Sequence, residues 1–388
     1  MNALLQRLPL PRNASAYTVI AGLAIVWVAF EILNDHFLSA RNLSNLLLQI
    51  AVLGTLAIGM VIVLVLGEID LSVGAIAGVS AAVLAIMVTP LGLPAYVAIP
   101  AALATGAVIG LLHGLVIAST GIPSFIITLA GLLVWSGVQL AIVGDGGEIP
   151  IRDPFIQAIA STYALPVVGW VLAVVAIAAL VALRLLRRRR RIRHGLAVGA
   201  LGVEIAALAI VAVAVLVVTW VLNSYFGIPW VFLLVLLLVL GGTLMMGQTR
   251  FGRHITAIGG NREAARRSGI RVKAVTVGVF VLISAISALA GIIEASRQFS
   301  ASNALGGGTL QLDAIAAAVI GGTSLFGGRG RIYHAVLGAL VVGSVQNGLD
   351  LLGQPAAIKS IATGLILVLA VVLDAVGRRR RAARGGTD

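Results

Sequence analysis

Between residues 17 and 376 the chain alternates long apolar stretches with short polar breaks, and no polar block is long enough to fold outside a membrane. A helix that crosses a bilayer needs about 20 mostly apolar residues. Twelve stretches approach or exceed that length, at 17–33, 45–66, 71–89, 95–118, 124–143, 165–183, 196–221, 229–247, 274–294, 311–326, 333–352 and 358–376. The pattern predicts an all-α polytopic membrane protein of about 12 transmembrane helices, built as a single domain over residues 1–388. Its polar parts are a short N-terminal segment (1–16), a loop at 248–273 and a basic C-terminal tail (377–388).

Composition makes lipid the solvent: 60% of the residues are hydrophobic and only 11% charged, where a soluble domain carries about a quarter charged residues. The net charge of +13 does not point to nucleic acid, because the arginines sit in clusters between apolar runs rather than among aromatics on a soluble face. Such clusters mark cytoplasmic loops. With the N-terminus inside, 23 of the 27 Lys and Arg residues fall on the cytoplasmic side: Arg7 and Arg12, the run from Arg184 to Arg193, the run from Arg250 to Lys273, Arg329 and Arg331, and Arg378 to Arg384. Arg41, Arg152, Arg297 and Lys359 fall outside. Adding or removing one central span would put an Arg-rich loop on the wrong face, so the charges predict an even number of spans and two cytoplasmic termini. No small-residue cleavage site follows the first apolar run, which reads as a retained anchor. The chain has no cysteine, which excludes disulfides, thiolate metal sites and cysteine nucleophiles. His36, His113, His194, His254 and His334 stand singly, and no metal site is expected.

Two stretches are irregular as spans. Leu310 to Phe326 is short and ends among Gly321, Gly322, Gly327, Gly328 and Gly330, so it reads either as a span or as a half-helix that dips into the membrane and returns. The turn at Gly67 to Asp70 is similarly tight. Gly106, Gly110 and Gly114 stack on one face of the fourth span, where they let another helix approach closely. Gly74-Ala-Ile-Ala-Gly in the third span echoes Asp313-Ala-Ile-Ala-Ala in the tenth. Those spans run in opposite directions, as an inverted repeat of spans two to five on nine to twelve requires.

The loop from Gln248 to Val272 reads as structured. Asn261 is a good N-cap, Glu263 to Arg267 favours helix with its acid near the positive end of the dipole, and Gly269 supplies the stop. The two readings of this short cationic helix are a rigid knob for a cytoplasmic partner and an incidental turn in a positive-inside loop.

Here the chain resembles a family. Glu263-Ala264-Ala265 with Gly269 matches the Glu-Ala-Ala-x-x-x-Gly core of the coupling loop in ATP-binding cassette (ABC) importer permeases, without the Ile-x-Leu-Pro that often follows it. Gly67-Glu-Ile-Asp-Leu-Ser-Val-Gly74, Ala257-Ile-Gly-Gly-Asn-Arg-Glu-Ala-Ala-Arg-Arg-Ser-Gly269 and Ile320-Gly-Gly-Thr-Ser-Leu-Phe-Gly-Gly-Arg-Gly330 resemble the ribose, xylose and galactose permease branch. The likeness covers most of residues 45–376, and spans six and seven with the Arg187–Arg193 cluster are similar to the longer xylose-type permeases. It implies a type II importer-like helical fold with inverted repeats in a bacterial inner membrane. It also implies a permease homodimer, an extracytoplasmic sugar-binding protein and a separate ABC ATPase docked under the coupling loop. Gly260, Asn261, Glu263, Ala264, Ala265, Ser268 and Gly269 would form that dock. ATP would be bound by the partner subunit, since Lys273 and Lys359 are the only lysines and neither follows a glycine as a phosphate cradle requires. No cofactor is expected in this chain.

Ionisable groups in spans are functional suspects, here Glu68, Asp70, Glu204, Glu294, Asp313 and Asp350. Asp70 and Ser72 read either as caps of the third span or as part of a translocation path. Glu204, placed about half-way along its span, reads either as paired with an arginine in the bundle or as lining the interface of the extra spans. Glu294, Asp313 and Asp350 lie toward outer ends, where solvation suffices to explain them. Gln311, Gln346 and Asn347 suit a weakly binding polar path and suit interhelical hydrogen bonding equally well. With Asp70, Ser72 and Asp313 they form the candidate path. The reading is a permease subunit importing a monosaccharide, xylose or another pentose, without bond chemistry of its own. Its rivals are an ion-coupled secondary sugar carrier using Glu204 or Asp70, and a membrane-embedded enzyme, for which no catalytic constellation exists in the sequence. The charge asymmetry predicts that a cysteine placed at Arg189, Arg266 or Arg380 is shielded from an impermeant thiol reagent in intact cells, while one at Gly146 or Asn303 is labelled.

Overall fold

In hydrocarbon a backbone amide has no water to fall back on, so apolar stretches of this chain close their hydrogen bonds as helices. The computed structural model describes residues 14–383 apart from 197 and 199; Arg7, Arg12 and Arg384 lie outside the described residues. The elements are α1 (Ala14–Leu33), α2 (Ala40–Leu66), α3 (Val73–Val88), α4 (Ala95–Thr120), α5 (Ser124–Val143), β1 (Glu148–Pro150), α6 (Pro154–Ser161), α7 (Pro166–Arg193), α8 (Leu201–Asn223), α9 (Trp230–Gln248), α10 (Arg250–Gly260), α11 (Arg262–Arg267), α12 (Val272–Gln298), β2 (Ser300–Ser302), α13 (Leu310–Ile320), α14 (Ile332–Leu351) and α15 (Ala356–Ala383). Among the described residues eight helices are long and apolar enough to cross a membrane, and the apolar parts of α1, α3, α13 and α15 are shorter. The chain is an all-α polytopic membrane protein, and each of the twelve apolar stretches coincides with one of these helices.

Contacts between loops fix which ends lie together. At one end β1 pairs antiparallel with β2, Thr89 donates to the Pro150 carbonyl, Asn34 donates to the Leu351 carbonyl, Tyr163 bridges to Pro229, and His36, Tyr163, Tyr225 and Leu351 line one recess. At the other end the Ile69 amide donates to Ser124, the Gly328 amide donates to the Val65 carbonyl, and Arg262 pairs with Glu68. Successive crossings therefore alternate in direction. The second end carries α10, α11 and the loop of Arg329 and Arg331.

Two crossings are broken. The α2 helix spans about 40 Å, whereas α3 accounts for about 24 Å and α13 for about 16 Å. The remainder is non-helical chain: Gly67 to Ser72 leads into α3 from the arginine-rich end, and Asn303 to Thr309 leads into α13 from the other. The two helix N-termini meet at one depth inside the bundle. A Cβ on Gly74 would strike the Gly306 carbonyl and the Gln311 carboxamide, and one on Gly306 would strike the Gly74 carbonyl. Helix α5 serves both broken segments. Its Ser124 and Thr128 accept the amides of Ile69 and Leu71, and its buried Gln139 donates to the carbonyls of Ser302 and Leu305.

Packing repeats under inversion. Helix α12 packs on α3 and α4 as α2 packs on α13 and α14, and α3 packs on α5 as α13 packs on α15. The glycines at 106, 110 and 114 on α4 receive the backbone of α12 at Ser284, Phe280 and Val277, an approach that any side chain would block.

Three expectations change. The segment after Leu310 is a half-helix, but it does not return: the helix stops at Ile320 and the chain emerges at the opposite end from Asn303. Glu204 lies in the first turn of α8, not half-way along it, and pairs with Arg188 at 3.0 Å. Asp313 is buried, at 3% exposure, because its crossing begins deep inside the bundle. The packing predicts that Gly110→Val, which overfills the α4–α12 contact, costs about 1–3 kcal/mol and lowers the melting temperature in detergent. Gly137→Ala, which enters open space, leaves it unchanged or raises it slightly.

Candidate functional site

The three motif segments, far apart in sequence, converge at the arginine-rich end. Gly67 closes α2 with φ 88°, its amide on the Leu64 carbonyl and the Glu68 amide on the Val63 carbonyl. Only glycine accepts that left-handed turn without strain. Against it lie Gly259 of α10 and Gly327. A Cβ on Gly327 would come within 3.0 Å of the Cα atoms of both Gly67 and Gly259, and one on Gly259 would strike the Val65 carbonyl. Glu68, almost fully buried, receives Arg262 at 2.6 Å. The half-exposed arginine is the first residue of α11.

Helices α10 and α11 form the outer part of this junction. Thr249 accepts the Gly252 amide and caps α10, whose Ile255 and Ile258 are buried. Asn261 interrupts the helix at φ −160° and accepts the Ala264 amide at 2.9 Å, capping α11. Glu263 pairs with Arg266 and Arg267 on the exposed face. Gly269, at φ 83°, terminates the helix, and the Ile270 amide reaches back to the Ala265 carbonyl. The cap and stop are therefore where the sequence puts them. Ala265 is 4% exposed and packs into this chain's own core, so it supports the knob rather than touching a partner. Gly260, Asn261, Glu263, Ala264, Ser268 and Gly269 are exposed. Helix α10 and the Glu68–Arg262 pair are new: α10 carries two glycines at its end and no acidic residue, and a pair of residues so distant in sequence leaves no periodic signal.

Toward the other end a cavity of about 360 Å³ opens between α2, α12, α14 and the 304–310 segment, lined by Gln49, Glu294, Arg297, Gln298, Gln346 and Asp350 among others. Arg297 holds Glu294 at 2.7 Å, and Lys359 contacts Asp350. These paired charges and amides offer donors and acceptors in alternation, together with the backbone of Ala304 to Gly307. That suits a neutral polyhydroxy solute, which needs both.

The six path candidates separate. Gln346 lines the cavity. Asp313, which accepts from Thr309 at 2.9 Å and neighbours Gln346 and Thr363, lies in the first turn of α13. Gln311 stands beside it against Gly74. Asn347 accepts from Asn42 at 2.8 Å and donates to Gln49 at 3.4 Å, joining α14 to α2. Asp70 is fully buried and accepts the amide and hydroxyl of Ser72. Ser72 stands 3.4 Å from His113, whose other ring nitrogen meets the Trp135 indole at 3.0 Å. Asp70 and Ser72 thus organise the start of α3 from within the bundle. Gln49, Glu294 and Arg297 entered no sequence reading of the path, since only the inverted packing brings the ends of α2 and α12 to one cavity.

The model of the family described as branched-chain amino acid transport system / permease component matches residues 42–371. The chain is 40% identical to the xylose transport system permease protein XylH of Escherichia coli (strain K12), over 95% of this chain and 93% of that protein. It is 37% identical to XylH of Haemophilus influenzae, over 95% and 98%, and 33% identical to the ribose import permease protein RbsC of Escherichia coli (strain K12), over 92% of each. No solved structure matches it. A family match over most of the chain, on a polytopic helical fold with the three motif segments in one junction, has one reading: this chain belongs to the branched-chain amino acid transport system / permease component family, in its xylose and ribose permease branch.

Proposed function

We propose that the chain is the transmembrane subunit of an ABC importer for a pentose, xylose or a close relative, in a bacterial inner membrane. The observation that carries this reading is the junction of Gly67–Glu68, Gly259–Arg262 and Gly327–Gly328, set directly above an exposed capped helix. In the proposal the ATPase seats on α11 through Gly260, Asn261, Glu263, Ala264, Ser268 and Gly269, and that end of the molecule, with both termini, is cytoplasmic. A binding protein delivers sugar to the opposite end of a permease homodimer. The solute enters the cavity at Gln49, Glu294, Arg297, Gln346 and Asp350 and passes the meeting point of the two half-helices near Gln311 and Asp313.

Two helices link the ends. Helix α2 carries Gln49 at the cavity and closes on Gly67 and Glu68 at the junction; α12 begins just beyond α11 and ends at the cavity with Glu294 and Arg297. A displacement of α11 by nucleotide-driven motion in the partner therefore pulls on both cavity walls through rigid elements. Nucleotide chemistry resides in the separate subunit. The ion-coupled carrier reading has less support, since Glu204 is held by Arg188 at the edge of the molecule and Asp70 is fully buried, accepting from Ser72 at the start of α3.

Purification from native membranes is expected to bring down an ABC ATPase, and the chain alone in proteoliposomes is expected to hydrolyse no ATP and accumulate no sugar; proton-driven accumulation by the isolated chain would favour the carrier. Ala264→Trp and Glu68→Gln separate docking from folding. Ala264 is exposed, and Arg262, half in water, tolerates losing its partner at a stability cost of about 1 kcal/mol or less. Both variants are expected to insert with normal yield and to lose most sugar-stimulated ATP hydrolysis in the reconstituted complex. Gln346→Leu, at the other end, is expected to raise the KM for transport about tenfold, by removing an uncharged hydrogen-bonding partner worth about 1.5 kcal/mol, while ATPase association is kept.

A further inference from the structure

The α7–α8 hairpin lies outside the repeated core. Helix α7 packs on α8, and α8 makes the hairpin's contact with α2. Most of the apolar surface of α7 is exposed, with Val167, Val171, Val174, Val175 and Leu183 all more than half exposed, as a helix surrounded by lipid requires. Its apolar part, Pro166 to Leu183, is about 27 Å long, close to the roughly 30 Å of a bilayer's hydrocarbon core. The helix does not stop there. It continues unbroken to Arg193 and carries Arg184, Arg187, Arg188, Arg189, Arg190, Arg191 and Arg193.

Helix geometry sets the height and direction of each charge. At 1.5 Å per residue, Arg184 to Arg188 stand within the headgroup layer, which extends about 5–8 Å beyond the hydrocarbon edge, and Arg189 stands at its outer limit. Arg190 to Arg193 stand farther out, still within about a Debye length of it. At about 100° per residue the arginines point to nearly all sides, which leaves no single face for a shaped protein surface. Arg188 is held by Glu204; among the described residues, the exposed arginines at 184, 187, 189, 190, 191 and 193 have no carboxylate within ion-pair distance.

We propose that the arginine collar of α7 is a binding site for anionic phospholipid headgroups. Guanidinium groups match phosphate oxygens in a bidentate fork, and a basic cluster directly beyond a transmembrane helix is held at the height of those phosphates. The collar does not rest on the transport reading, because it depends only on the position of α7 in the bilayer. Its effect is to fix the depth of the hairpin and gather anionic lipid around the permease at that end. The arginines nearest the hydrocarbon, Arg184, Arg187 and Arg189, carry most of the binding.

The test uses the full chain in detergent micelles doped with phosphatidylcholine and phosphatidylglycerol, with retained lipid identified by native mass spectrometry. The expected result is an enrichment of phosphatidylglycerol over the bulk ratio of at least about threefold, lost in 1 M salt, where the Debye length falls to about 3 Å. Arg184→Gln with Arg187→Gln and Arg189→Gln is expected to abolish it, and the matching triple Lys variant to retain most of it. Arg191→Gln with Arg193→Gln is expected to lower it less. A cysteine at Gly146 reports whether each variant keeps its orientation, and the Lys variant preserves the charge that sets it. The proposal is overturned by a wild-type lipid ratio equal to bulk, by a triple Gln variant that keeps the enrichment, or by a stronger effect of the outer pair than of the inner three.

Discussion

A peptide group without a hydrogen-bond partner in hydrocarbon costs several kcal/mol, and this chain breaks two of its crossings inside the membrane. Its architecture follows from how those groups are satisfied. Ser124 and Thr128 take the amides of Ile69 and Leu71, Asp70 takes that of Ser72, and Gln139 gives its two N–H groups to Ser302 and Leu305. One helix, α5, therefore supports both broken segments from opposite ends. Because the breaks are closed by protein, the N-termini of α3 and α13 can meet deep in the bundle, where a polar passage is possible without lipid contact. Acidic side chains lie at both positive helix ends, Asp70 before α3 and Asp313 in the first turn of α13, as the helix dipoles favour.

The inverted arrangement gives the molecule two unlike ends from two like halves. At one end the backbone of three segments packs glycine on glycine, and Arg262 closes on Glu68. At the other the corresponding helices diverge enough to leave a cavity with paired charges and amides. Close packing at the glycine junction makes it a stiff connection rather than a soft one, which is what transmitting a displacement to α2 and α12 requires. The peripheral α7–α8 hairpin belongs to neither half and is exposed along most of its length.

Much of this was legible in the residues. Asn261 and Gly269 bracket α11 as their cap and stop chemistry dictates, and Gly106, Gly110 and Gly114 receive α12 as their spacing implies. The short Gly-rich segment at Leu310 left a span and a half-helix equally open, and the echo of Gly74 and Asp313 pointed to the inverted pairing. Ala265 was read as part of a docking surface, but its side chain turns inward, since a six-residue helix must bury one side to be held in place. An arginine partner for Glu204 was one of two open readings, and which arginine it is, Arg188 of the neighbouring helix, was settled only by the packing of α7 on α8. That Gln49, Glu294 and Arg297 share a cavity was not visible, because each sits alone near a helix end, where solvation suffices to explain Glu294, and gains meaning only beside the others.

The sequence by itself determined what is one-dimensional: the number and order of apolar stretches, the asymmetry of arginine between their ends, and the local caps and stops. These follow from hydropathy, charge and backbone preference, which act residue by residue or across one helical turn. Only the tertiary structure decided which ends share a cavity, which glycines touch, and where Glu68, Arg262, Asp70 and His113 find partners. Those outcomes depend on helix packing across hundreds of residues of separation, where a shift of one turn changes every contact and leaves no trace in the local pattern.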